Sequence, residues 1–464
     1  MSAKKRVFTN KKVNYLPSAV IGILLIIFLY VGYIFIFHKP SLNLETKNVI
    51  SLNQLVISIF EKNSLIKSID IKLVSKDKNF YKLNTDTATG NYRSTELNDK
   101  KIKFILDNDE ELISFLKKND GEKIILKYEI SYENLFFDRT LADEFDLNVD
   151  VSPPKIFDIV TDGYVYLGGI GYVMFKTSKD AQNTYLENGN GGIFKSLSIE
   201  KDNHIAHLIF FTCSNKPCNQ NKIKIFSEDT LGNKLQISKK IKTIKNKKWS
   251  NIDIFLDKEM ITDKYNEIFN SNLNEFAKED FLKLNKEERL INETYINSVT
   301  SKISTSKLFD GKFKPLSNSK VSSEYSELRT YYFKNGDGVV LDKQYHWGID
   351  LSSIKNDKVY SANSGQVVLV EQSLGIYGGV VIIDHGIGFY TLYSHLDTIS
   401  VNKMDKVDKQ TLLGTTGTSG FAFGDHLHFG VFLQGTPVDP IEFLDKKYLG
   451  IKIFDPYLKF IGKD

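Results

Sequence analysis

The sequence predicts a mainly β protein. It comprises an N-terminal transmembrane helix, two β-sandwich modules of immunoglobulin-like type, a short helical linker and a compact all-β C-terminal domain. Three observations predict this architecture. Residues 13–37 form an uncharged run rich in Ile, Leu, Val and Phe. Residues 40–247 carry short alternating apolar runs broken by Asn/Asp/Gly turns. After a densely charged stretch at 257–304, a glycine-rich β-pattern returns from about Phe309.

The N-terminal element comes first. Its 25 residues would span about 37 Å as a helix at ~1.5 Å per residue, enough for a hydrocarbon core of about 30 Å. Lys4, Lys5, Arg6, Lys11 and Lys12 precede it without an acidic residue, which places a tail at 1–12 in the cytoplasm and the rest of the chain outside. The expectation is therefore a single-pass protein of the bacterial cytoplasmic membrane, spanning at 13–38. The apolar run exceeds that of a cleaved signal peptide, and no small-x-small site precedes His38-Lys39-Pro40. No cysteine lies in the first 200 residues, so a lipid anchor on an N-terminal cysteine is not expected.

The two modules follow at 40–152 and 153–247, joined at the paired prolines Pro153 and Pro154. Strands are expected at 68–74 and 123–130 in the first, and at 163–175, 205–211 and 222–226 in the second. Cys213 and Cys218 flank a turn-like loop and would close a disulfide in an oxidising compartment. A lone pair of cysteines lacks the partners of a structural zinc site. In the linker at 248–305, apolar residues recur at helical spacing: Ile268, Leu273, Phe276, Phe281 and Leu284, then Leu290, Tyr295 and Val299. The last domain occupies 306–445 and is followed by a tail at 446–464. With 464 residues, 41% hydrophobic and 25% charged, the chain can bury several cores. A net charge of +4 with interspersed signs does not suggest a nucleic-acid binder.

The chemistry-bearing residues lie in the last domain. Of eight histidines, five fall between His346 and His428. Three contexts are informative: His346-Trp-Gly-Ile-Asp350, Leu392-Tyr-Ser-His395-Leu396, and Asp425-His426-Leu427-His428. A catalytic zinc site wants about three imidazole or carboxylate ligands and an open position. The first motif supplies one of each. In the third, period-two alternation puts both rings on one face, about 7 Å apart, with Leu427, Phe429 and Val431 facing a core. His204 and His207, without a carboxylate or glycine nearby, read as a solvated strand, and His385 reads as a turn support.

With Ser361-Ala-Asn-Ser-Gly-Gln-Val367, residues 377–388, Gly414-Thr-Thr-Gly-Thr-Ser-Gly420 and Pro437-Val-Asp-Pro440, these motifs resemble the lysostaphin/LytM-type zinc metallopeptidases. The resemblance covers about 140 residues. It implies a compact all-β peptidase domain binding one zinc ion through His346, Asp350 and His428, with His395 and His426 as non-ligand catalytic histidines. It implies hydrolysis of peptide cross-links in peptidoglycan, with division or wall-synthesis proteins as candidate partners. A fainter likeness includes residues 323–329, where the family usually has glycine and this chain has Ser326. The rival reading is a catalytically inactive relative that binds wall and activates an amidase, or a division scaffold.

Overall fold

The computed structural model describes residues 16–37, 40–44, 49–50, 56–60, 65–83, 101–105, 110–134, 137–218, 221–245, 249–336 and 338–463. The expected cytoplasmic tail at 1–12, together with residues 13–15 and 38, lies outside the described residues. The first element is a helix, α1 (Leu16–Phe37). Its described side chains, from Ile21 to Tyr33, are all uncharged, and most of the large ones are more than half exposed. Among the described residues no helix is long and apolar enough to cross a membrane.

The rest is mainly β and packs as two compact units, Met1–Ser152 with Leu231–Asn233, and Pro153–Thr230 with Lys234–Asp464. The first unit contains a five-stranded sheet, dominated by the long pairing of Lys123–Asn134 with Phe137–Val149 and Leu65–Val74, and a separate three-stranded sheet. A helix at Glu110–Lys118, not expected from strand patterning, buries Leu112 and Leu116, one turn apart, in that unit's core.

The second unit opens with two four-stranded sheets between residues 156 and 240, which bury Val173, Phe175 and Ile209 of one and Ile223 and Ile225 of the other in a common core. Cys213 and Cys218 are disulfide-bonded and buried beside them. His207 corrects the reading of a solvated strand. Its ring is buried, stacked on Phe175, and bonded at Nε2 by Thr177 Oγ1 (2.9 Å) and at Nδ1 by Ser196 Oγ (2.9 Å) and Ser198 Oγ (3.0 Å). Neighbouring hydroxyls satisfy both nitrogens, so the ring can sit in the core.

Two helices of this unit matter for the site. Asp257 caps the first, α2 (Lys258–Phe269), by accepting from Glu259 N. In the second, α3 (Arg289–Thr300), the expected apolar stripe is corrected. Leu290 and Tyr295 are exposed, while Asn292, Ile296 and Thr300 are buried at i, i+4, i+8. Asn292 wins the inward position because its Oδ1 accepts from Ile376 N at 2.9 Å, tying α3 to the turn that carries Tyr377.

The C-terminal sheet is antiparallel throughout its main path. Four of its strands build the site: β1 (Ile349–Ser352), β2 (Gly378–Asp384), β3 (Phe389–Ile399) and β4 (Leu427–Leu433), in spatial order β1-β4-β3-β2. Its core runs on without a break into that of the four-stranded sheets, with Phe210 and Phe389 in ring contact at 5.5 Å. Residues 446–464, expected as a tail, are helical up to Ile461. Leu449 and Ile453 enter the same core, Tyr448 Oη accepts from Ile170 N at 2.7 Å, and buried Lys452 pairs with Asp162.

Candidate metal centre

Strand register brings the residues together. Asp350 on β1 lies directly across from His428 on β4, and His428 lies across from Ser394 on β3, next to His395. His346 sits just before β1 and reaches the same point. Gly348 permits this approach, because a Cβ there would stand 2.7 Å from both the His428 ring and the Phe429 carbonyl. His346 is held on its other side by residues 324–327: Ser326 N donates to its carbonyl (2.7 Å), and its own Nδ1–H donates to the Glu324 carbonyl (3.0 Å). Ser326 makes that contact at φ 60°, the left-handed region that glycine adopts without cost.

His395 is aimed by a β-bulge. Between the pairs Gly379↔Leu396 and Val381↔Tyr393, two residues of β3 oppose one of β2, and His395 takes φ 62°. Such a bulge turns a side chain out of the strand's alternation. His426 precedes β4 and is placed by a bridge to Gly417. The two rings lie 4.8 Å apart, centroid to centroid. His428, two residues on, faces the same cleft, and Leu427, Phe429 and Val431 face the core. The cleft has a volume of about 310 Å³.

His346 Nε2 stands 2.8 Å from His428 Nδ1 and 3.0 Å from Asp350 Oδ1, and His428 Nδ1 is 3.0 Å from the same oxygen. His426 Nε2 is 3.6 Å from it. Since His346 gives its Nδ1–H to a carbonyl, the neutral ring points a bare lone pair at the other two atoms. A proton on His428 Nδ1 can serve only one of its two neighbours, so one close approach of lone pairs stays uncompensated. A divalent cation accepts all three at once. Three ligands around a tetrahedral zinc at ~2.0–2.1 Å stand about 3.3 Å apart, close to the spacing here. The donor set fits the ion, and among the described residues it is the one such group found.

Electrostatics prepare the donors. Burial lowers the pKa of His346, and takes that of His428 down to about 4, so both are neutral at pH 7 with lone pairs free. Burial acts to raise Asp350, but the imidazoles of His346 and His428 overcome it and hold the carboxyl well below its usual range. His395 is held well below 6.5 by burial and by the neighbouring His426 and His428. His395 and His426 each bond a backbone carbonyl through Nδ1, of Ser419 at 2.9 Å and Gly424 at 2.7 Å. Each therefore keeps its Nε2 as the basic nitrogen.

Sequence reading missed what lies behind Asp350. Arg329 Nη2 binds its second oxygen, Oδ2, at 2.8 Å, and Arg329 Nε binds Glu327 Oε1 at 3.1 Å, with Ser250 Oγ donating to Glu327 Oε2. Burial acts to lower the Arg329 pKa, but the carboxylate beside it raises it further, so the cation persists. The available signal was a single charge in the otherwise uncharged strand Leu328–Phe333. Of the loop glycines, Gly414, Gly417 and Gly420 are in close backbone or side-chain contact, whereas Gly424 borders open space. His385 is buried and bonds the Ser364 carbonyl and Thr391 Oγ1, both at 2.7 Å, away from the cleft.

Residues 344–440 match peptidase family M23. The uncharacterized lipoprotein YgeR of Escherichia coli is 34% identical over 97 residues, 21% of this chain and 38% of its own length. The peptidoglycan DD-endopeptidase ShyA of Vibrio cholerae is 33% identical over 97 residues, 21% of this chain and 22% of its own. The murein hydrolase activator NlpD of Escherichia coli is 31% identical over 103 residues, 22% and 26% of the two chains. The chain thus spans well under half the length of these relatives. A crystal structure described as a peptidase M23 from Pseudomonas aeruginosa aligns over 61% of this chain and 96% of its own, at 17% identity and a TM-score of 0.36. By the family match over residues 344–440, and by 30% identity over the whole length of lipoprotein NlpD of Yersinia enterocolitica, the chain belongs to peptidase family M23 through its C-terminal domain.

Proposed function

We propose that this protein is a zinc-dependent endopeptidase that hydrolyses peptide cross-links of peptidoglycan. The observation that carries the reading is the convergence of His346 Nε2, His428 Nδ1 and Asp350 Oδ1 within 3.0 Å in a cleft that also holds two unligated imidazoles. His346, Asp350 and His428 are the ligands, and His395 and His426 the catalytic histidines. Bound there, zinc would polarise the scissile carbonyl and lower the pKa of a water to about 7.

The side chains do the rest. Asp350 brings a negative charge to the donor set, and Arg329 fixes its orientation through the other oxygen. His395 and His426 present their Nε2 atoms to the cleft, each ring oriented by its carbonyl bond. One takes the proton of the attacking water, and the imidazolium so formed returns it to the leaving amine. The other enters the cycle carrying a proton taken from solvent and donates its Nε2–H to the developing oxyanion. Trp347, Tyr377 and Phe423 wall the cleft against bulk water.

The same reading locates the protein at the cytoplasmic membrane, anchored through α1, with residues 40–464 outside. The exposed, uncharged face of α1, the basic residues before it and the Cys213–Cys218 disulfide support this placement.

The likeness to NlpD supports a second reading, an inactive activator of another hydrolase. Purified zinc-loaded protein incubated with isolated peptidoglycan decides between them. Mass spectrometry is expected to show cross-linked muropeptides converted to monomers. No conversion, together with stimulation of a purified amidase, would establish the activator reading instead.

A further inference from the structure

A second cavity of about 270 Å³ adjoins the metal cleft, and Trp347 and Tyr377 line both. Its other walls include Glu293 and Asn297 of α3, Ser214 beside the disulfide, and Pro437. Arg289, Glu293 and Asn297 follow one another at i, i+4, i+8, so one polar stripe about 12 Å long runs along α3 from the cleft into the cavity.

Glu293 is half-buried, and among the described residues its carboxylate has neither a hydrogen bond nor an ion pair. Arg289, one turn away, does not neutralise it, because that guanidinium is spent on Asn285, binding its carbonyl at 3.0 Å and its Oδ1 at 2.7 Å. Burial accordingly raises the Glu293 pKa against the weaker opposing pull of Arg289. A desolvated carboxylate without a cation is costly unless something fills the role. Two aromatic walls beside it favour a cation further.

The geometry points to this cavity as a subsite for a primary ammonium group of the peptide substrate, held by the Glu293 carboxylate while the scissile bond lies in the metal cleft. The inference rests on the endopeptidase reading for the nature of the ligand. Its charged and polar wall, Glu293, Asn297 and Ser214, lies outside the 344–440 family match, whereas Trp347, Tyr377 and Pro437 lie within it, so the helical linker and the disulfide loop supply the ammonium-binding group to a cavity shared with the family domain.

Three synthetic stem-type peptides test it: one with only a free side-chain amine, one with only a free N-terminal amine, and one with both acetylated. Binding to the zinc-loaded full chain is measured by calorimetry, with cleavage followed in parallel. One free-amine peptide is expected to bind about tenfold tighter than the diacetylated one, and its identity tells which amine is read. In Glu293→Gln that advantage should fall to within about twofold, with affinity for the diacetylated peptide unchanged. Equal binding of all three by the native protein, or an undiminished advantage in Glu293→Gln, overturns the inference. Cleavage without amine discrimination sinks the subsite alone, and amine discrimination without cleavage sinks the endopeptidase reading alone.

Discussion

Two regions of the second unit hold buried imidazoles under similar desolvation and use them differently. In the core, His207 and His385 are each pushed down to about 4 by burial, and both nitrogens of each ring meet hydroxyls or a carbonyl. At the metal cleft His428 is also pushed down to about 4, yet its Nδ1 faces a carboxylate and another imidazole. Burial and a lowered pKa are therefore common to both regions. What separates a structural histidine from a reactive one is whether its second nitrogen finds a satisfying partner inside the protein.

The largest effect that would break this comparison is expected at Asp350. Asp350→Ala should abolish bound zinc and reduce peptidoglycan cleavage by more than about a thousandfold, since both terms of transition-state stabilisation vanish. Metal content by atomic emission alongside the muropeptide assay checks it. Full zinc content in this variant would remove Asp350 from the ligand set. His395→Ala should keep its zinc and lose about 10²–10⁴-fold in kcat. An unimpaired kcat would strip His395 of its catalytic part.

Arg329→Leu tests the layer behind the ligands. Zinc affinity should weaken by about 10–100-fold, the range for residues that orient a ligand from behind. A competition titration with a chelator measures it, and an unchanged Kd would show that Asp350 is oriented without its partner.

The smallest effect belongs to the core. His207→Phe should leave zinc stoichiometry and kcat as they are and lower stability by about 1–3 kcal/mol, because three hydroxyl groups lose their partner. Chemical denaturation gives the number. A fall in bound zinc here would erase the distinction between the two regions. The same residues set a pH dependence. His207 and His385 bind protons in the unfolded chain near 6.5 but only near 4 when folded. Their contribution is intact above 6.5 and is lost as pH falls from 6.5 towards 4. Denaturation midpoints at pH 7.5 and 5 should differ in that sense.

Much of the site was legible because it is encoded locally. The two-residue spacing of His426 and His428 sets both imidazoles toward one side through strand alternation, and His346 and Asp350 stand close enough along the chain for a short turn at Gly348 to join them. Strand alternation likewise set Leu427 and Phe429 against the core. Where a partner lies far along the chain, local pattern fails. Leu290 and Tyr295 were apolar at helical spacing yet are exposed, because Asn292 met the amide of Ile376, 84 residues away. His207 looked solvated until three hydroxyls from neighbouring segments, Thr177, Ser196 and Ser198, enclosed it.

By itself, the sequence determined the mainly β class and the family, and it singled out the three candidate donors His346, Asp350 and His428, since those depend on residue type at short spacing. Only the tertiary structure decided that Arg329 backs Asp350, that Leu449 and Ile453 enter the core, and that α3 lends Glu293 to a cavity beside the cleft. Dihedral periodicity is written along the chain, but desolvation and charge pairing depend on which distant segments fold together.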